Sequence, residues 1–253
     1  FYFPKTLDVS SDDARSFARG REHWLTVNGE HERVPVLRLS EAPLVRGSRA
    51  AGALAGGMPL AVAQGGAPVA GKDYVVINPP VATPANGKIE VVEFFWYGCP
   101  HCNAFEPMLE AWVKKLPADV DFRRVPVAFR EEPFVAHQRI YYALEEMALV
   151  DATHAKVFAA IHVDHQRLDN PKEIAAFMKK NGVDPDKFMT FYNGFSVQTK
   201  ARQAAKIAQA YKIDGVPSIG IAGKYLTSAT LTGSPQRSLA VTDYLIQRTR
   251  AKT

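Results

Sequence analysis

A chain of 253 residues with 47% hydrophobic and 23% charged side chains can bury a core without disulfide staples, and its composition excludes a fibrous or disordered class. The formal charge of +5 comes from lysines and arginines scattered along the chain, with no basic run and no nucleic-acid motif, so nucleic acid is not an expected partner. No apolar stretch reaches the ~18 residues that suggest a transmembrane helix, and the two cysteines, three positions apart, are too close to staple distant segments.

Residues 1–45 suggest a short helix from Ser11 to Arg19 and two strands, His23 to Val27 and Arg33 to Leu39, around the hairpin-forming dipeptide Asn28-Gly29. With so few apolar residues the segment cannot stabilise itself, and it reads as upstream sequence of unknown role, absent from the mature protein. Residues 46–63 then place Arg46 and Arg49 before a small, apolar run, Ala50 to Leu60, that closes on Ala61-Val62-Ala63. That is the layout of a secretory signal peptide cleaved before Gln64, and it predicts export. The alternative is a Gly/Ala-rich linker, since three glycines and Pro59 weaken the apolar core.

After Gln64, a Pro/Gly-rich lead contains one strand, Tyr74 to Ile77, followed by the most apolar run of the chain, Ile89 to Tyr97, which suits a strand buried on both faces. Cys99-Pro100 opens a helix in which Phe105, Met108, Leu109, Trp112, Val113 and Leu116 recur at steps of three and four, and Val120 to Val127 reads as the next strand. Strand, helix, strand normally forms a right-handed parallel crossover. From Pro133 to Tyr211 the pattern is helical, with Asp151, Asn170-Pro171 and Asp184-Pro185 as starts and Gly182 and Gly194 as stops. Ser218 to Ala222 and Lys224 to Thr227 then form a hairpin about Gly223, and Pro235 to Arg250 a closing helix. The simplest fold class is one α/β domain, residues 64–130 and 212–253, interrupted by an all-helical insertion, residues 131–211.

Cys99-Pro100-His101-Cys102 lies where a buried strand meets a helix N-terminus. Unpaired N–H groups and partial positive charge there stabilise a thiolate, and His101 can add a proton-borne charge, so Cys99 is the expected nucleophile. One turn further in, Cys102 can close a disulfide with Cys99 or resolve a mixed disulfide. A zinc half-site or two inert thiols are the competing readings; no second cysteine pair supports zinc, and a c-type haem would need histidine rather than Asn103 after Cys102. Glu93 interrupts the buried strand: inside, its pKa would rise and it could exchange a proton with Cys102, whereas at a strand edge it would face solvent. His162 and His165 invite a metal reading, but a solvated helix end fits better, there being no acidic or cysteine cluster beside them. Phe94, Phe95, Trp96, Phe105 and Trp112 read mainly as core, with Trp96 and Tyr97 near enough to the cysteines to line a substrate site.

Glu93-Phe-Phe-Trp-Tyr-Gly-Cys-Pro-His-Cys102, the helical insertion and Gly215-Val-Pro-Ser218 together resemble the DsbA family of thiol:disulfide oxidases, from about Gly71 to Arg250. The resemblance implies a thioredoxin fold with a helical insertion. It also implies a cis Val216-Pro217 bond facing the cysteines, with the Val216 backbone free to pair with an extended substrate, and a buried acid at Glu93. No cofactor beyond the Cys99–Cys102 disulfide is expected, and no metal. The implied partners are reduced, newly exported proteins and a DsbB-like, quinone-linked membrane oxidase, and the implied state is a soluble monomer in a bacterial periplasm. A reductase or isomerase of the same fold, or a peptide-binding module whose cysteines are incidental, are the alternatives.

Overall fold

The structure is a computed structural model and describes residues 24–27, 30–33, 66–84 and 86–251. It divides into two compact units, Phe1–Ala61 and Val62–Thr253. In the first, β1 (Trp24–Val27) pairs antiparallel with β2 (Glu30–Arg33), Val27 opposite Glu30. The second strand therefore begins at Glu30, ahead of the one expected from Arg33 to Leu39, since Val27 pairs with Glu30. The expected helix Ser11 to Arg19 and the signal-like residues 46–63 lie outside the described residues.

The second unit is built on a five-stranded mixed sheet in the order β3 (Val75–Val76), β7 (Tyr225–Ser228), β6 (Ser218–Ile221), β4 (Ile89–Phe95), β5 (Val120–Pro126). Its centre is β4 (Ile89–Phe95), parallel to β5 (Val120–Pro126) on one side and antiparallel to β6 (Ser218–Ile221) on the other. Helix α1 (Pro100–Val113) makes the crossover from β4 to β5. β4 is buried on both faces because both are covered, and its side chains are apolar except for Glu90 and Glu93. Val91 packs with Phe105 and Leu109 of α1 and with Leu239 and Leu245 of α8 (Pro235–Arg250). Val92, Phe94 and Phe95 belong to the larger core shared with the helical block.

That block is α2 (Phe134–Glu146), α3 (Val150–His162), α4 (Pro171–Lys180), α5 (Pro185–Tyr192) and α6 (Phe195–Ala210), all between β5 and β6. The interrupted α/β architecture is the fold class expected from the sequence. β6 and β7 (Tyr225–Ser228) form the predicted hairpin, followed by the short α7 (Ala229–Thr232).

Several boundaries differ from expectation for local reasons. Asn170 and Asp184 cap α4 and α5 through their side chains, as their Asn-Pro and Asp-Pro dipeptides suggest. Asp151 is no cap: it lies in the first turn of α3, where a carboxylate still complements the helix dipole. Gly194 does not cap α5, which ends at Tyr192 with Asn193 as its C-cap; it is the extended N-cap residue of α6. The Tyr74 to Ile77 strand shrinks to β3 (Val75–Val76), since Pro79 and Pro80 follow and have no N–H to extend the ladder.

Candidate active site

β4 ends at Phe95, two residues before the expected Tyr97, because the chain then folds into a turn in which the Cys99 N–H donates to the Trp96 carbonyl at 3.0 Å. Cys99 is the extended N-cap residue of α1 and Pro100 is its first helical residue. Pro100 and His101 face solvent, Cys99 is 7% exposed and Cys102 is fully buried. Both sulfurs are free thiols.

The two thiols are made unequal by their surroundings. The Cys102 thiol donates a hydrogen bond to Cys99; with the backbone N–H groups of Cys102 and His101 and the charge of His101, this outweighs burial and lowers the Cys99 pKa to about 6. Burial pushes the Cys102 thiol far up, and the hydrogen bond to Cys99 and the negative charges of Cys99 and Glu93 push it further. At neutral pH the pair therefore holds one thiolate, on the outer sulfur, and one thiol. The sequence-level assignment of nucleophile and inner partner matches this geometry.

Facing Cys99 is the turn before β6. The Val216-Pro217 bond is cis, and Cys99 Sγ lies 3.5 Å from the Val216 carbonyl oxygen, to which it donates only while it is a protonated thiol. Ser218 Oγ donates to the Gly215 carbonyl at 2.8 Å and closes the turn. Val216 and Pro217 are half-buried, so the turn presents its backbone beside the reactive sulfur.

Glu93 is fully buried in the central strand, and the solvent-facing alternative does not hold. Its carboxylate accepts from Arg124 Nε of β5 at 3.1 Å. Burial, reinforced by the negative charge of Glu106 and opposed by Arg124, raises its pKa to about 8. Arg124 also donates to Glu106 at 2.7 Å and to Glu110, both on α1. His154 Nε2 of α3 lies 3.3 Å from Glu106 Oε1, while His154 Nδ1 is 2.7 Å from the Tyr97 hydroxyl. Burial lowers the His154 pKa against the pull of Glu106. Burial also opposes ionisation of Glu106, but His154 and Arg124 together hold its pKa below the usual value.

Two sequence expectations are corrected here. Tyr97 does not line a substrate site: it is 1% exposed, its ring packs against Phe95 and Phe158, and its hydroxyl points into the helical block. A large apolar ring beside a buried strand gains more from core packing than from exposure. His162 is not a solvated helix end: its Nε2 donates to the Tyr97 carbonyl at 2.8 Å and so braces the turn before Cys99. Trp96 is half-buried, stacked on Phe134 at 4.0 Å, and its ring fills the space a Cβ on Gly98 would occupy, 2.3 Å away.

Arg124, Glu106 and His154 were not found by sequence reasoning, and His162 was singled out only as a metal candidate or a solvated helix end. A weak signal existed for Glu106, which follows Cys102 by one helical turn on the face that buries Phe105 and Leu109. Among the described residues no cluster of His, Cys, Asp or Glu could hold a metal ion, and no helix is long and apolar enough to cross a membrane.

Comparison with known proteins gives the same reading. Residues 90–240 match the family model of the DSBA-like thioredoxin domain. The chain is 45% identical over 195 residues to the thiol:disulfide interchange protein DsbA of Burkholderia cepacia, covering 76% of this chain and 91% of that protein. It is 44% identical over 182 residues to the protein of the same name from Pseudomonas aeruginosa, covering 72% and 86%. The crystal structure of Pseudomonas aeruginosa DsbA superposes with a TM-score of 0.70, covering 73% of this chain and 95% of that one. With the unequal thiols of Cys99 and Cys102 opposite a cis proline, these likenesses place the chain in the DsbA family of thiol:disulfide oxidoreductases, enzymes of thiol:disulfide interchange.

Proposed function

We propose that the enzyme works as a disulfide donor to reduced proteins after their export, through a mixed disulfide at Cys99. The observation that carries this reading is the inequality of the two sulfurs, Cys99 lowered to about 6 and Cys102 raised far above its usual value. In the oxidised enzyme a substrate thiolate attacks Cys99 Sγ, the Cys99–Cys102 bond breaks, and Cys102 leaves and takes up a proton. Glu93, protonated at neutral pH, is the nearby acid suited to supply it. A second substrate thiolate then attacks the substrate sulfur of the mixed disulfide and releases Cys99 as thiolate. Two electrons pass from substrate to enzyme, and the substrate gains a disulfide.

A stabilised Cys99 thiolate is a good leaving group and favours the reduced enzyme, which is what makes a disulfide pair oxidising. Substrate would lie extended against the Val216-Pro217 turn, whose backbone stands beside Cys99, with Trp96 as an apolar flank. Pro100 starts the helix that presents Cys99, and His101 supplies charge beside it. No cofactor or metal enters these steps. Turnover then needs an external oxidant, for which a quinone-linked membrane protein of the DsbB type is the fitting partner, in a periplasm reached through the signal-like residues 46–63.

The test is the equilibrium of the Cys99–Cys102 pair with glutathione. A potential near about −120 mV, the general value for DsbA proteins, supports the donor; one near about −270 mV, as in thioredoxins, turns the same site into a reductase and sinks the proposal.

A further inference from the structure

The described residues between 66 and 251 contain nine arginines. Arg123, Arg124, Arg167, Arg237 and Arg250 pair with carboxylates, and Arg248 with the Tyr74 hydroxyl. The other three, Arg130, Arg139 and Arg202, have no carboxylate within ion-pair distance among the described residues, and all three line one groove of about 630 Å³ between the β5–α2 loop, α2 and α6. Glu131 is the one carboxylate in its lining. Two of the arginines are held in place by aromatic faces: Arg139 lies 6.0 Å from the centre of the Tyr192 ring and Arg202 5.8 Å from that of the exposed Phe195. Guanidinium groups so held are prepared to accept carboxylates with little loss of rotamer freedom.

The groove is joined to the cysteines by aromatic surface. Trp96, against Gly98, stacks on Phe134 at 4.0 Å, and Phe134 meets Phe129 at 6.1 Å, edge to face. Phe129 is 43% exposed and itself lines the groove. The ring steps of 4.0 and 6.1 Å from Trp96 to Phe129 correspond to about three residues of extended chain at about 3.3 Å each, so a segment bonded to Cys99 would meet the arginines with residues beyond the third from its cysteine.

We propose that this groove binds acidic residues of the unfolded substrate, so that the enzyme prefers cysteines with Asp or Glu more than three positions away. The inference rests on the disulfide-donor reading and names a substrate class for that site. Charge complementarity favours a carboxylate-bearing chain, and the apolar path from Trp96 to Phe129 favours an unfolded polypeptide over a bilayer surface, which would meet the arginines without needing that path.

The experiment uses oxidised full-length enzyme and two peptides of about twelve residues, each with one cysteine, carrying three glutamates or three glutamines from the fourth position after it onward. The readout is the ratio of their mixed-disulfide rates. The expected ratio is about three- to ten-fold in favour of glutamate at low salt, falling towards one at about 1 M salt, where charges are screened beyond about 3 Å. It should fall likewise in Arg139→Gln/Arg202→Gln and survive in Arg139→Lys/Arg202→Lys, which keeps the charge. Equal rates in the unaltered enzyme, or a preference that persists in the glutamine variant, overturn the groove. Should the glutamine variant not fold, the salt dependence of the unaltered enzyme decides. Binding of the enzyme to phosphatidylglycerol vesicles that is lost in the glutamine variant, together with equal peptide rates, would assign the arginines to a lipid surface instead. Failure of the donor reading is separate: it is read in the glutathione equilibrium of the Cys99–Cys102 pair, whichever peptide reacts faster.

Discussion

The acidity of Cys99 rests first on the Cys102 thiol and then on the backbone N–H groups of Cys102 and His101. These contributions separate in a Cys102→Ala variant, in which the backbone donors remain. Thiolate absorbance should titrate with a midpoint near 6 in the reduced enzyme and at a clearly higher pH in the variant; an unchanged midpoint would assign the shift to the helix end alone. Glu93 makes the opposite kind of statement. Its folded pKa of about 8 lies above the ordinary carboxylate value of 4.5, so between those limits the folded protein holds a proton that the unfolded chain releases. Stability on this account falls as pH rises from about 4.5 to about 8 and is lowest above that. Glu93→Gln removes the loss, and urea unfolding at pH 7 should find the variant more stable by about 1–3 kcal/mol, with the gain vanishing near pH 4. A variant less stable at pH 7 would mean that the Arg124 pair matters more than desolvation.

At the scale of elements, the turn between β4 and α1 is held from the insertion side: α3 delivers His162 to the Tyr97 carbonyl and His154 to the Tyr97 hydroxyl. His162→Leu keeps apolar contact with Phe158, on whose ring the imidazole stacks at 6.1 Å, but leaves the carbonyl without its donor. The expected cost is about 1–2 kcal/mol, read as a lower urea midpoint at unchanged slope; an unchanged midpoint would show that the brace contributes nothing. These contacts also explain what the sequence could and could not reveal. The strand-helix-strand order was legible because Ile89–Phe95 is mostly apolar and Cys99-Pro100 marks a helix start, and Asn170-Pro171 and Asp184-Pro185 announce their own caps. Such signals are local. Tyr97 and His154 are 57 residues apart, and Tyr97 and His162 are 65 apart. Nothing in a helical period distinguishes a histidine aimed at a distant carbonyl from one in water, and the same blindness turned Tyr97 into a site residue. Arg124 was hidden for a related reason, since an arginine in a strand ordinarily reads as an outward-facing one.

For the whole molecule, the Cys99 thiolate links redox state to global stability. The thiolate exists only when the pair is reduced, and its pKa is about 6 in the folded state against 9.0 for an ordinary cysteine. A depressed pKa contributes stability that is complete above the unfolded value and lost as pH falls through the folded one. The reduced form should therefore gain on the oxidised form as pH rises from about 6 to about 9, by on the order of 1 kcal/mol per pH unit before solvent screening at the helix end reduces it. Groups that titrate alike in both redox states, the distant carboxylates and histidines included, cancel in that difference, which makes the difference a cleaner report on Cys99 than either stability alone. Parallel urea unfolding of the reduced and oxidised enzyme at pH 5, 7 and 9 should show a gap that is smallest at pH 5 and widens at each step. In Cys99→Ser, which has neither thiolate nor disulfide, stability should lack the component that separates the two forms of the unaltered enzyme. A gap constant across that range would mean that thiolate stabilisation does not set the redox preference of the fold, and the oxidising power would then have to come from strain in the oxidised pair.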